Sequence, residues 1–293
     1  MKSIKKFRTL TTIIFDFLLT IAAIILIIAF SQTYTLLFQA GFLSAFWGVL
    51  KEIGTAFLFF DYIKVQVDEF NSLNLIEIIK GPLWYSLIIL VGGLCLTFLA
   101  ALFLEFIHYF LPPLLKKMVR GIAFVIQSIP DVIMIFSLQL LTIWIYKQTG
   151  VLVIDPIAGF DKVYLMPILT LSILPVVMLF QMIDLSVSEE EDKLYVNYAY
   201  SKGFSKKYIF FVHILRNTVL TLFSNLQLLF WLMISNLLLL EILFNVNGFM
   251  KLVRQIVFEP DIFAVTLTCL FIPFYLVDVL GKFIVKKMNG ETL

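Results

Sequence analysis

Among the carboxylates inside or at the ends of long apolar runs are Glu105, three residues before His108; Asp131, following Ser128-Ile129-Pro130; Glu241; and Asp278, four residues before Lys282. Charge in an apolar membrane segment is costly, so each is a prompt for an ion or proton pathway. Each also has a plainer reading. Asp278 and Lys282 have the spacing of a helix-surface pair. Glu105 and His108 fall where a run ends, in reach of the interface. Glu241 is placed to cap or brace the loop after it, and Asp131 suits the first turn of a helix, where the helix dipole favours a carboxylate. The chain carries no Gly-x-x-x-x-Gly-Lys-Ser/Thr turn to cradle nucleotide phosphates, so it is expected to hydrolyse nothing itself. Cys95 and Cys269 are both deep in apolar runs and imply neither a disulfide framework nor a metal site.

The other patterned stretch is 184–216, the longest polar segment between apolar runs. Ser188 followed by Glu189-Glu190-Glu191 reads as a capping serine with acids in the first turn, which predicts a helix starting at Glu189. That helix runs through Tyr195, Val196, Tyr198 and Ala199 and ends at Gly203, a residue suited to a left-handed terminus. Ser205 then caps a second helix through Tyr208, Phe211 and His213 to Arg216. Ala199 and Gly203 fall on one face, with Tyr195 a turn earlier and Lys202, Lys206 and Lys207 nearby. Small residues admit a close backbone, aromatics anchor and lysines form a basic rim, so this surface suits a groove on a separate soluble protein. An amphipathic hairpin on anionic lipid fits the same spacing.

The elements that carry these residues belong in lipid. Of 293 residues 61% are hydrophobic and 14% charged, there are 31 Phe, and the mean hydropathy is +1.01. A bilayer core of about 30 Å takes about 20 apolar residues as a helix, and the absence of alternating polarity excludes a barrel. Six spans are expected, at 10–30, 83–107, 121–146, 163–182, 219–244 and 262–285. The run after Lys2, Lys5, Lys6 and Arg8 is read as a span rather than a cleaved signal, being long enough to cross with no small-residue cleavage pattern behind it. With that basic end inside, 15 of the 22 Lys and Arg fall in cytoplasmic segments, which places both termini in the cytoplasm. A net charge of +2 gives no footing for nucleic acid.

Residues 1–81 divide off as a first span plus an external segment with short interfacial or packed helices, and 82–293 as a five-helix core carrying the 184–216 loop. Pro112 and Pro113 close the second span at a turn. In the third, Ser128 is placed to cap a helix with Pro130 in its first turn, so that 120–126 forms an interfacial approach. Pro167 and Pro175 are expected to kink the fourth span.

Tyr195-Val196-Asn197-Tyr198-Ala199-Tyr200-Ser201-Lys202-Gly203-Phe204-Ser205, followed by His213-Ile214-Leu215-Arg216-Asn217, resembles the EAA loop of binding-protein-dependent ABC importer permeases, in the oligopeptide, dipeptide and nickel branch. Ser128-Ile129-Pro130, Pro167-Ile168-Leu169-Thr170-Leu171, and Glu241-Ile242-Leu243-Phe244 with Gly248 are similar to further family segments. The resemblance implies an all-α permease of six transmembrane helices in the bacterial cytoplasmic membrane. It assigns ATPase coupling to Tyr195, Val196, Tyr198, Ala199, Lys202, Gly203, Ser205 and Arg216, and places Ser128, Pro130, Asp131, Gln227 and Trp231 along the pathway. It also implies two ATPase subunits holding ATP and Mg, a second permease chain, and an extracellular solute-binding lipoprotein or periplasmic protein, with no cofactor or metal on this chain.

The sequence departs from the family at Leu194, in the place of an acid, at Thr221 and Asn247, in the place of prolines, and at Gln227-Leu228-Leu229-Phe230-Trp231-Leu232, bulky where relatives are glycine-rich. That bulk fits a narrower lumen or an unusual substrate, and keeps a non-transporting scaffold or signalling partner with a permease fold as an alternative. A secondary transporter, the third class, would carry ion-coupling carboxylates at the midplane and a repeated hydropathy pattern. Peptides are the solute expected from the branch; nickel or another chelated metal is second.

Overall fold

The computed structural model describes residues 2–39, 41–59, 64–68, 71–152, 154–159 and 161–288. Side chains are described for most of these, but not for 2–10, 64–68, 71–73, 219–227, 280 or 282–288. Among the described residues the regular structure is helical apart from one ribbon between α2 and α3, where β1 (Lys64–Asp68) pairs antiparallel with β2 (Asn71–Asn74).

Two compact units form, one from residues 1–86 with 247–293 and one from 87–246. In the first, α1 (Lys2–Thr33), α2 (Phe42–Leu58) and α11 (Pro260–Met288) pack through Ile28, Ala29, Ile53 and Ala264. Tyr275 donates to the Ile13 carbonyl at 2.6 Å, and Gln32 Nε2 to that of Val257 at 2.9 Å. Helix α10 (Phe249–Gln255) begins with the Phe249 N–H on Ser86 Oγ at 2.7 Å, which satisfies one of its otherwise orphan donors.

Helix α3 (Leu75–Phe110) runs from the first unit into the second. There follow α4 (Pro113–Gln127), α5 (Asp131–Thr149), α6 (Leu165–Glu191), α7 (Leu194–Ser201), α8 (Lys206–Ile209) and α9 (Leu215–Leu243). Pro112, extended at φ −66° and ψ 156°, separates α3 from α4 with Pro113 at the first helical position, as the proline pair predicts. Gly92 and Gly93 let α3 approach its neighbours. A Cβ on Gly93 would stand 2.8 Å from Met233 Cε of α9, and one on Gly92 2.8 Å from Ile168 Cδ1 of α6.

Among the described residues five helices are long and apolar enough to cross a membrane: Thr11–Leu36, Leu75–Phe110, Asp131–Thr149, Leu165–Glu191 and Pro260–Val279. Leu228–Leu243 of α9 is a shorter apolar stretch. The third span begins ten residues later than hydropathy alone puts it. Pro130 interrupts the run at φ −58° and ψ 141°, and 113–127 forms a separate amphipathic helix, α4. Ser128 does not cap α5: its Oγ donates to the Phe124 carbonyl at 2.9 Å and closes α4.

Candidate functional site

The fourth span overruns its predicted end. No helix starts at Glu189, because Ser188 Oγ donates to the Asp184 carbonyl at 2.8 Å within α6, and the helix continues to Glu191. Ser188 and its acids therefore form a last helical turn, and the break comes at Asp192–Lys193. Lys193, extended at ψ 145°, opens α7.

Helix α7 ends as its sequence dictates. Gly203 has φ +82°; the Phe204 N–H reaches the Ala199 carbonyl at 3.3 Å and the Gly203 N–H that of Tyr200 at 2.9 Å, the paired bonds of a Schellman terminus. Ser205 Oγ then accepts the Tyr208 N–H at 3.3 Å and caps α8. From Lys206 the helix is continuous into α9 through a π-helical stretch at Phe210–Ile214.

The segment is fastened by polar bonds to the ends of three longer helices. Glu190 at the end of α6 accepts from Lys193 Nζ, from the Tyr195 hydroxyl, and from Asn217 Nδ2 at 3.2 Å; Asn217 also donates to the Tyr195 oxygen at 3.0 Å. Burial, then the hydrogen bond to Glu190, raises the Tyr195 phenol above its ordinary pKa and keeps it a donor. On the other side Tyr109 of α3 donates to Glu191 Oε1 at 3.1 Å, with the Tyr200 hydroxyl at 3.3 Å. Lys206 Nζ lies 4.6 Å from the Tyr109 ring centroid and donates to the Tyr109 carbonyl at 3.4 Å.

Beneath these bonds the segment has its own core. Val196, Ala199, Ile209, Phe210 and Ile214 pack with Tyr109 of α3, Ala123 of α4 and Ile183 and Val187 of α6. This corrects the expected face: Val196 (0% exposed) and Ala199 (5%) point inward and fix α7 to the bundle, so Ala199 and Gly203 do not jointly present a surface. The outward face instead carries Leu194 (87% exposed), Tyr198 (62%) and the exposed Lys202, whose Nζ sits 4.5 Å over the Tyr198 ring. Tyr195 turns its hydroxyl inward, Gly203 is exposed at the turn, and Arg216 is exposed at the start of α9.

One turn deeper, Glu105 and His108 are each 1% exposed. They do not reach an interface as their position suggested, because α6 covers them and brings Asp184 to 3.3 Å from His108 Nδ1. Arg120 of α4 grips that carboxylate with two bonds, Nε to Oδ2 at 2.6 Å and Nη2 to Oδ1 at 2.8 Å. Sequence reasoning missed this cluster: Arg120 is one of three cations in α4, with Lys116 and Lys117, and nothing in its spacing singles it out as the partner of Asp184.

The expected pathway residues assemble only in part. Asp131, first residue of α5, is hydrogen-bonded to Asn236 of α9, and both line a hollow with Thr170, Leu171 and Leu174 of α6. Pro130 sets the start of α5; Ser128 and Trp231, both exposed, are not lining residues, and the Gln227 side chain lies outside the described residues. So does that of Lys282, the expected partner of Asp278. Glu241 is fully buried, and its carbonyl accepts the Val246 N–H at 2.8 Å in the turn that ends α9, where Asn245 takes φ +53°. Asn245 Nδ2 reaches the Ala158 carbonyl at 3.2 Å, and Gln139 Nε2 that of Leu243 at 3.1 Å, so the loop after α5 braces this turn.

A chain of long apolar helices, with a polar segment tied against their ends, is the architecture of a multi-pass membrane protein. Residues 93–290 match the family of binding-protein-dependent transport system inner membrane components. The match spans more than half of the chain, which belongs to this family; it is a membrane-embedded permease subunit of the ABC importer type. No curated protein matches the chain closely enough to add a more specific relative.

Proposed function

We propose that this chain forms half of the translocation pathway of an ATP-driven importer for peptides or similar small solutes, and that residues 194–216 couple it to ATPase subunits. The observation that carries the coupling role is the two-sided build of α7. Its inner face is bound to α3, α6 and α9, while Leu194, Tyr198 and Lys202 are left outward. A segment that is both rigidly attached to the spans and open to a partner transmits displacement, because a packed core does not deform continuously.

In this reading two ATPase subunits, carrying ATP and Mg, move the segments of this chain and of a second, similar permease chain. A solute-binding lipoprotein or periplasmic protein delivers the solute from outside. Both termini lie in the cytoplasm of a bacterial cell, and α9 is the sixth span: its 29 residues extend about 43 Å as a helix. Asp131 and Asn236 offer polar contacts to the passing solute beside an otherwise apolar wall.

The test is co-purification of the tagged chain from detergent-solubilised membranes, wild type against Leu194→Arg and Tyr198→Glu. An ATPase, identified by its nucleotide hydrolysis, should accompany the wild type and be lost with both variants while their elution profiles stay unchanged. No ATPase in any sample, or its full retention by both variants, would overturn the coupling role.

A further inference from the structure

Glu105, His108 and Asp184 offer one donor atom each within 4.8 Å of one another, all three residues being buried. His108 Nδ1 is 3.6 Å from Glu105 Oε2 and 3.3 Å from Asp184 Oδ1, yet neither approach is a hydrogen bond. Both oxygens of Glu105 and both nitrogens of His108 lack a well-formed hydrogen-bond partner in the protein. Buried polar atoms are rarely left so, and a carboxylate and an imidazole both orphaned toward one point call for something between them.

The spacing says what. In a tetrahedral zinc site, with ligand bonds of about 2.0–2.2 Å, neighbouring donor atoms stand about 3.3–3.6 Å apart. The two separations from His108 Nδ1, 3.3 and 3.6 Å, match it, and the carboxylates offer oxygens within 4.8 Å of each other; both His108 separations are longer than the roughly 2.7–3.2 Å of a nitrogen–oxygen hydrogen bond. We propose that Glu105, His108 and Asp184 form a binding site for a divalent transition-metal ion of the zinc class, with water in the fourth position, pinning α3 to α6.

The surroundings fit. Arg120 holds both oxygens of Asp184 and fixes the orientation of that ligand, as outer partners of metal-bound carboxylates do. The His108 ring is held edge-on against Phe180, centroids 5.2 Å apart. An imidazole with only two carboxylates suits zinc or its transition-metal neighbours over magnesium or calcium, which take six or more oxygens. The site lies one residue from Tyr109, which ties α3 to Glu191 and Tyr200, so a bound ion would stiffen the seat of α7. The proposal stands on this geometry and not on the transport reading.

The experiment uses the full chain, purified in detergent with a histidine-free tag, stripped with a chelator and titrated with Zn²⁺ against a chromophoric competitor. One tightly held Zn²⁺ per chain is expected, weakened about tenfold or more in Glu105→Gln and His108→Gln. The chain has only two histidines, so His213→Gln is the control and should bind as wild type does. X-ray absorption of the loaded wild type should show imidazole scattering among oxygen ligands; this readout holds even if a variant fails to fold. No stoichiometric Zn²⁺ on the wild type, unaltered affinity in Glu105→Gln, or a spectrum without imidazole would overturn the site.

Discussion

Asn217 and Glu190, 27 residues apart in sequence, meet at 3.2 Å, and the whole of α7, α8 and the π-helical stretch lies between them. The bond closes this segment into a loop whose two ends are fixed to each other as well as to the bundle. Asn217→Ala removes donors to both Glu190 and Tyr195 and should cost about 1–2 kcal/mol. Hydrogen exchange read by mass spectrometry should show faster exchange across 194–201; unchanged rates would mean that the apolar contacts of Val196 and Ala199 alone seat α7.

Arg120 is the counter-charge of Asp184, and its two-pronged grip is a geometry that lysine cannot reproduce. Because the guanidinium is half exposed, Arg120→Ala should cost less than the roughly 3–5 kcal/mol of a fully buried pair, near about 2 kcal/mol. Arg120→Lys should recover less than half of that. Thermal unfolding of the purified chain in detergent measures both, and equal midpoints for lysine and arginine would contradict the bidentate geometry.

The inward placement of Ala199 separates stability from partner binding. Ala199→Leu forces a larger side chain into a filled core and should destabilise the chain by about 1–3 kcal/mol. Leu194→Arg, on the outer face, should leave the unfolding midpoint unchanged while weakening ATPase recovery. The opposite pattern would put Ala199 on the docking face.

At Gly203 the backbone is left-handed with open space where a side chain would stand, so strain and not collision sets the cost of substitution. Gly203→Ala should lose about 1–2 kcal/mol. Gly203→Asn should lose distinctly less, since asparagine tolerates that conformation. The comparison is again of unfolding midpoints, and equal losses would point to a contact instead of the backbone.

Much of the helical architecture is legible in composition and punctuation. The proline pair 112–113, Gly203 and Ser205 each do locally what their chemistry requires, and five of the six expected spans coincide with long apolar helices. The start of α5 shows where hydropathy falls short: a window average runs across Pro130, whereas the backbone breaks there. Ser188 shows the limit of capping patterns, since a serine followed by acids also fits the last turn of a helix when the residues before it are already helical. Most opaque was the partnership of Glu105, His108, Arg120 and Asp184. It depends on which faces of α3, α4 and α6 meet, and no local spacing encodes that. The ribbon β1–β2 was missed for a related reason: its strands are short and polar, and their pairing is decided across the turn.

The π-helical stretch at Phe210–Ile214 has a mechanical meaning. Such a turn holds one residue more than an α turn, and absorbing that residue into ordinary helix rotates everything on one side by about 100° relative to the other. Phe210 and Ile214 are buried there while Phe211 and Val212 are exposed, so the rotation would exchange which aromatic ring the bundle grips. The surplus residue thus sets which ring the bundle holds at the root of α9, Phe210 and not its neighbour Phe211.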